Sequence, residues 1–208
     1  MKKIYVVDYG LGNIGSILNM FRYIGYESIS VSDPSDIKNA GGIILPGVGN
    51  FDQGMKNLHK TGMAEALKEV FNTKKIPILG ICLGMQLMCN SSEEGALPGL
   101  AFIDAHVRHF NFSNKSELKI PHMGWNVVNV TKNDTVLGGI NDALARFYFV
   151  HSYYVECNNK SDIAGVTEYG SNFTSAFHVD SISGVQFHPE KSHKFGMNLF
   201  RNFSKSIV

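Results

Sequence analysis

Long apolar runs are missing from this chain of 208 residues; its hydrophobic stretches are short and broken by glycine, proline or charge. None approaches the roughly 18 consecutive apolar residues that a membrane-spanning helix needs. The opening MKKIYVVDYG has two lysines but only a brief apolar run before Asp8, too short for the hydrophobic part of a secretion signal. Cysteine is scarce. Cys82, Cys89 and Cys157 are an odd number without a C-x-x-C pair, which argues against a disulfide framework or a zinc site and fits a reducing, cytoplasmic setting. Neither sign of charge dominates: Lys+Arg 19 against Asp+Glu 18 gives a net charge of +1, so no global field draws the chain to nucleic acid or an anionic membrane. Only a local basic patch stays open. No repeat, linker or charge run divides the sequence, so residues 1–208 read as one domain. The histidines and cysteines lack metal-ligand spacing, and no metal or cofactor is expected.

What is present is enough apolar material for a sizeable core, 44% hydrophobic against 18% charged residues, which sets the chain apart from disordered sequences. Its rhythm changes partway. In the first half, strand-like runs alternate with helical ones. KIYVVD precedes GNIGSILNMFRYIGY, in which Ile14, Ile17, Leu18, Phe21 and Ile24 recur at helical spacing. GGIILPG precedes the helical run Lys56–Asn72, and KIPILGICLG leads into MQLMCN. Such alternation predicts parallel strands with helices on both faces of the sheet. From about Leu100 the segments read as extended: LAFIDAHVRHF, WNVVNV, RFYFVHSYYVE, IAGVTEY, SAFHV and SISGVQFHP. A last helix carries Phe195, Leu199 and Phe203 on one face. The expected architecture is one open α/β domain, mostly parallel, with antiparallel or mixed strands in its second half.

The densest chemical signal is Ile78-Leu79-Gly80-Ile81-Cys82-Leu83-Gly84-Met85-Gln86, an apolar strand running through G-x-C-x-G into a helix-compatible segment. This is the pattern of a nucleophile held on a strained strand-to-helix turn, with flanking glycines that avoid clashes. A following helix start favours a thiolate and offers backbone N–H donors. A cysteine nucleophile needs a base, and the base needs an orienting group. His188 ends the apolar strand of GVQFHPE, with Glu190 two residues on. If both are extended around Pro189, their side chains share a face. Glu190 then bonds one imidazole nitrogen while the other faces Cys82.

GICLGMQ and GVQFHPE, in that order and spacing, resemble the two catalytic motifs of the class I glutamine amidotransferases. VVDYGLGNI, LPGVGNF, PHMGWN and FYFVHSYY extend the likeness over most of the chain, and these segments are similar to those of the glutaminase subunits of imidazole glycerol phosphate synthases. The resemblance implies a flavodoxin-like amidotransferase domain. It also implies that Cys82 attacks the side-chain amide of glutamine, His188 acts as base and then acid, and Glu190 orients His188. By the same likeness, Leu83 N–H and the Gly47-Val48-Gly49 loop form an oxyanion hole, which reorients when a partner binds. Taken on its own, PGVG also reads as the turn after the strand GIIL. Gly47, Gln86, Ser152 and Tyr153 are implied as glutamine contacts, although Gln86 also fits a solvated helix position. His151 reads as a hydrogen-bonded strand-end histidine.

The resemblance further implies a heterodimer with a (β/α)8-barrel cyclase that receives the ammonia, with Asn13, Trp125 and Asn126 at the interface. The lone tryptophan fits an interface anchor or a packed turn. Paralogues of such subunits supply ammonia to sugar amidotransferases of surface polysaccharides, and the sequence leaves that acceptor open. A catalytically silent binding subunit is the third reading, though no member of the triad is missing. Gly10, Gly12 and Gly15 spell G-x-G-x-x-G between a strand and a helix, but no acidic residue ends a second strand as a dinucleotide site requires.

Overall fold

Alternation of apolar side chains along the first strands divides the interior into two cores, one on each face of a sheet. A computed structural model of the chain describes residues 3–74, 76–112, 118–140 and 145–207. Strands β1 (Ile4–Val7), β2 (Ser28–Val31), β3 (Gly42–Leu45) and β4 (Ile78–Ile81) come first. Helix α1 (Ile14–Tyr23) joins β1 to β2, and α2 (Phe51–Lys60) and α3 (Met63–Lys74) join β3 to β4. The short α4 (Leu83–Leu87) is followed by β5 (Ser91–Ser92), β6 (Ala105–His109), β7 (His122–Val127), β8 (Asn129–Val130) and β9 (Arg146–His151). Then come β10 (Tyr153–Cys157), β11 (Ile163–Tyr169), β12 (Ser171–Val179), β13 (Ile182–Val185) and α5 (His193–Lys205).

The main sheet has the order β2-β1-β3-β4-β13-β12-β10-β6-β5, with β11 on β12 and β8 on β11. From β2 to β13 every pairing is parallel, in the flavodoxin-like order; β12 then turns antiparallel. Ile44 of β3 faces the core shared with Ile17, Phe21, Leu199, Phe200 and Phe203 of α1 and α5. Its neighbours Ile43 and Leu45 face Met55, Leu58, Leu67 and Val70 of α2 and α3. The period of two thus places helices on both faces, as the alternation of segments predicts. Phe195 of α5 is only partly buried, whereas Leu199 and Phe203 are sealed in.

Two local expectations need correction, and one strand has no counterpart in the sequence reading. The helical run Lys56–Asn72 is broken: α2 stops at Lys60, Thr61 Oγ1 bonds back to the Asn57 and Leu58 carbonyls, and Gly62 takes φ 74° before α3. A left-handed residue cannot continue the helix. The run RFYFVHSYYVE is interrupted at Ser152, so that β9 pairs with β7 in a separate ribbon while β10 joins the main sheet. Strand β2 has only Val31 buried, so its sequence carries almost no hydrophobic signal; parallel pairing with β1 holds it.

Candidate functional site

The three neighbouring parallel strands β3, β4 and β13 all point the same way, so the loops that follow them meet at one edge. They deliver Gly47, Cys82 and His188. The carboxyl edge of a parallel sheet is where open α/β folds place ligands.

Cys82 sits between β4 and α4 with φ 53° and ψ −110°, a conformation that costs a non-glycine residue about 1–3 kcal/mol. The turn expected at this cysteine is therefore present. Its N–H donates to the Val185 carbonyl at 2.8 Å, which pins the turn to β13. Gly84 lets α4 lie against the end of β3, because a Cβ there would overlap the Leu45 carbonyl oxygen. A Cβ on Gly80 would lie 2.8 Å from Met85 Cα.

His188 is fixed by its own N–H, which donates to the Tyr148 carbonyl at 2.9 Å. Its Nδ1 lies 2.8 Å from Glu190 Oε1, with both side chains buried. The extended i, i+2 geometry expected for this pair is not what brings them together. Pro189–Lys191 form a 3-10 turn, for which the fixed φ of proline suits the first position, and Ser192 Oγ closes it by donating to the His188 carbonyl at 2.6 Å. His188 Nε2 has no partner at conventional hydrogen-bond geometry; it lines the same cavity as Cys82. Burial alone lowers the pKa of His188, but Cys82 and then Glu190 outweigh it and push it up to about 10. The imidazolium form is thereby favoured near neutral pH.

The loop after β3 is held at both ends. Tyr9 Oη donates to the Pro46 carbonyl at 2.7 Å, and Asn50 Oδ1 accepts from the Gln53 N–H at the start of α2. Between these anchors, the Gly47 carbonyl accepts the Leu83 N–H at 3.3 Å. The donor that the sequence assigns to an oxyanion hole is therefore occupied.

A cavity of about 320 Å³ opens here, lined by Val48, Gly49, Cys82, Leu83, Gln86, Ser152, Tyr153 and His188, all named from the sequence. Glu94, Pro121, Val150 and His151 complete it. A larger cleft, about 850 Å³, lies at the opposite end of the same strands among Lys38, Pro77, His178 and Asn202. It holds none of the reactive groups, so the smaller cavity is the candidate site. A buried thiol beside a carboxylate-paired imidazolium, in a pocket with a nearby backbone donor, has the parts for acyl transfer through a thioester.

The model of the family described as "Glutamine amidotransferase class-I" matches residues 5–207. The chain belongs to that family. Among curated relatives, it is 53% identical to the imidazole glycerol phosphate synthase subunit HisH 2 of Methanococcus maripaludis, covering 97% of this chain and 98% of the relative. It is 48% identical to the subunit HisH 2 of Pseudomonas aeruginosa, covering 98% and 100%. Among solved structures, PurLQS from Thermotoga maritima superposes with a TM-score of 0.75 at 18% identity and full coverage of both chains. That likeness concerns the fold.

Of the remaining residues named from the amidotransferase motifs, Trp125 is 45% exposed and stacks on His193 at 5.3 Å. Asn13 precedes α1 without a side-chain cap and does not line the cavity. Asn126 turns inward: its Nδ2 donates to His122 Nε2 at 3.2 Å and to the Glu168 carbonyl at 3.0 Å. Sequence reasoning missed Glu94 and Gln186. Glu94 Oε2 accepts the Phe51 N–H at 2.8 Å, which ties the pocket to the start of α2. Nothing in the sequence around Glu94 marks it, because the tie spans 43 positions.

His151, expected to be a hydrogen-bonded strand-end residue, is that and also a wall of the pocket. Burial is the main force holding its pKa down at about 3 and that of His122 at about 4. Both are depressed in the folded state, so the stability they confer is complete above the unfolded value of about 6.5 and is lost as pH falls toward 4 and 3. The raised His188 acts in the other direction, with its contribution lost only as pH rises from about 6.5 through about 10. Urea unfolding at pH 7 and pH 5 is expected to show a lower midpoint at pH 5, with His122 and His151 each contributing up to ~1.4 kcal/mol per pH unit and His188 offsetting part of the loss. Equal midpoints would contradict burial of the two rings in neutral form.

Proposed function

We propose that this chain is the glutaminase subunit of an imidazole glycerol phosphate synthase, a single domain over residues 1–208 that works in the cytoplasm. It hydrolyses glutamine to glutamate and passes the ammonia to a (β/α)8-barrel cyclase of histidine biosynthesis. The thiolate of Cys82 attacks the amide carbon, and the charge develops on the amide oxygen. His188 gives its Nε2 proton to the departing nitrogen, ammonia leaves, and a water deprotonated by His188 hydrolyses the glutamyl thioester. Glu190 holds Nδ1 and stabilises the imidazolium. Gln86, Ser152 and Tyr153 frame the substrate, and Glu94 offers a carboxylate to its α-ammonium group.

The observation that carries this reading is an assembled triad beside a blocked oxyanion donor. Rotation of the Gly47–Val48 peptide would withdraw the Gly47 carbonyl from Leu83 N–H and turn Val48 N–H toward the substrate; Gly49, at φ 109°, provides the adjoining freedom. A subunit that hydrolyses glutamine only when its ammonia has a destination needs such a block. Ammonia released to water would be mostly protonated and unreactive. Relatives at 42–53% identity over nearly the whole chain carry the synthase-subunit name, which favours this acceptor over a sugar amidotransferase. The complete triad disfavours a silent binding subunit.

Val48→Pro removes the N–H that rotation would supply. Glutamine turnover is expected to fall about 10²- to 10³-fold while Cys82 still alkylates; unchanged turnover would exclude Val48 N–H from the oxyanion hole. The function itself is tested by mixing the chain with the barrel cyclase and measuring glutamate release with and without the cyclase's ribonucleotide ligand. Strong activation by the ligand is expected. Absence of activation, with Cys82 still reactive, would move the acceptor elsewhere.

A further inference from the structure

The orientation of every group in one hydrogen-bond chain, buried except at its Asn126 end, can be read from its ends. His151 Nδ1 lies 2.8 Å from the Tyr153 carbonyl, which only accepts, so Nδ1 carries the proton and Nε2 of the neutral ring is bare. His122 Nδ1, 3.0 Å away, must then donate to that bare nitrogen, leaving its own Nε2 as an acceptor. Asn126 supplies the donor. Its amide cannot be reversed, because Oδ1 accepts the Val127 N–H at 2.8 Å and Nδ2 also donates to the Glu168 carbonyl. The two ends agree on one proton order.

The chain continues past Tyr153. Its carbonyl also accepts from Gln86 Nε2 at 3.1 Å, and the same nitrogen donates to Gln186 Oε1 at 3.0 Å. Gln186 Nε2 is thereby turned to Cys82 Sγ, at 3.7 Å. His122, His151, Gln86 and Gln186 are all buried, between 0% and 6% exposed, so water does not compete. At the other end, Asn126 lies on β7 beside Met123 and Trp125, which are 62% and 45% exposed.

We propose that this is a positioning relay: β7, through His122 and His151, sets the placement of the Tyr153 carbonyl that anchors the Gln86 and Gln186 amides, and Gln186 holds the Cys82 thiolate for attack. The inference rests on the glutaminase reading of the pocket and adds residues through which an event at the β7 surface reaches the nucleophile. Gln186 is suited to this because an amide N–H donates to a thiolate, whereas a carboxylate in its place would repel one. A push on β7 from the exposed Met123 and Trp125 side displaces Asn126 and loosens each later link.

The test uses the full chain, with 15N-labelled histidine and iodoacetamide as the thiol probe. At pH 7 the imidazole 15N spectrum is expected to show His122 and His151 neutral and protonated on Nδ1, the minority form in water. A proton on Nε2 of either ring overturns the relay. Asn126→Asp presents an acceptor to the bare His122 Nε2, so His122 must change tautomer or become charged. Alkylation of Cys82 is expected to slow by about fivefold or more in this variant, and by about tenfold in Gln186→Glu, with the double variant showing less than the product of the two. A changed His122 signal with wild-type alkylation, or fully multiplicative effects, overturns it. If Asn126→Asp fails to fold, His122→Gln breaks the next link with the same expected slowing. An unreactive Cys82 in the wild-type chain would contradict the glutaminase reading instead, while the histidine spectrum would still decide the relay.

Discussion

Cys82→Ala is expected to lower glutamate release by on the order of 10⁴-fold or more, and His188→Ala by a comparable factor, because triad members act as a unit. The reason is specific to the geometry. Without Sγ the pocket loses its only thiol among the described residues. Without the imidazole, no other titratable group among the described residues is bonded to Glu190 and able to protonate the leaving nitrogen. The same site predicts an opposite effect on stability. Cys82 holds φ 53°, so Cys82→Gly relieves a strain of about 1–3 kcal/mol, and its melting temperature should equal or exceed that of the unaltered chain despite the lost activity. Retention of more than a tenth of the glutamate release by Cys82→Ala or His188→Ala would remove the triad from the chemistry.

Gly84→Ala is expected to be among the most destabilising single substitutions in the molecule. Its new Cβ would overlap the Leu45 carbonyl, which is backbone at the end of a central, fully buried strand and cannot move aside as a side chain could. Either α4 lifts away from β3 or β3 shifts, and both distort the turn that carries Cys82. A loss of about 3 kcal/mol or more is expected, read as a lower urea midpoint, with activity falling further than the stability loss explains. Gly49→Ala serves as a contrast, since nothing lies within 4 Å of its Cβ position. Its cost comes from φ 109° alone, and its effect should fall on turnover through the loop. Equal stability of Gly84→Ala and the unaltered chain would show that the close approach of α4 to β3 is not needed.

The strained turn at Cys82 is legible because its requirements are local. A strand, a turn and a helix start within nine residues leave G-x-C-x-G as their mark, and Cys82 takes the strained conformation that the pattern predicts. The alternation of strands and helices also marks the centre of the parallel half of the sheet, where β3 and β4 are buried on both faces, whereas the exposed edge strand β2 leaves no such mark. Other features depend on partners far away in sequence. Glu94 reaches the Phe51 N–H, and Gln186 reaches Cys82 across 104 positions, so neither shows in a short window. The His188–Glu190 contact was foreseen, but through an extended segment; a proline-initiated 3-10 turn achieves the same 2.8 Å separation by a different path. Likeness of motif implies an interface position for Asn126, but it gives no sign of the bond that its side chain makes to His122. The blocked state of Leu83 N–H is a property of one peptide plane, which no residue identity records.

Cys82, activated by His188, is proposed as the group that takes the acyl part of glutamine. The most direct test is labelling of the purified chain with a diazoketone analogue of glutamine, followed by peptide mapping. The three cysteines are well separated in character: burial pushes Cys89 well up and Cys157 up to about 12, whereas Cys82 alone of the three lines the pocket. Label is expected on Cys82 only, with protection by glutamine and loss of labelling in His188→Ala. Label on Cys89 or Cys157, or labelling of Cys82 that glutamine does not slow, would contradict it.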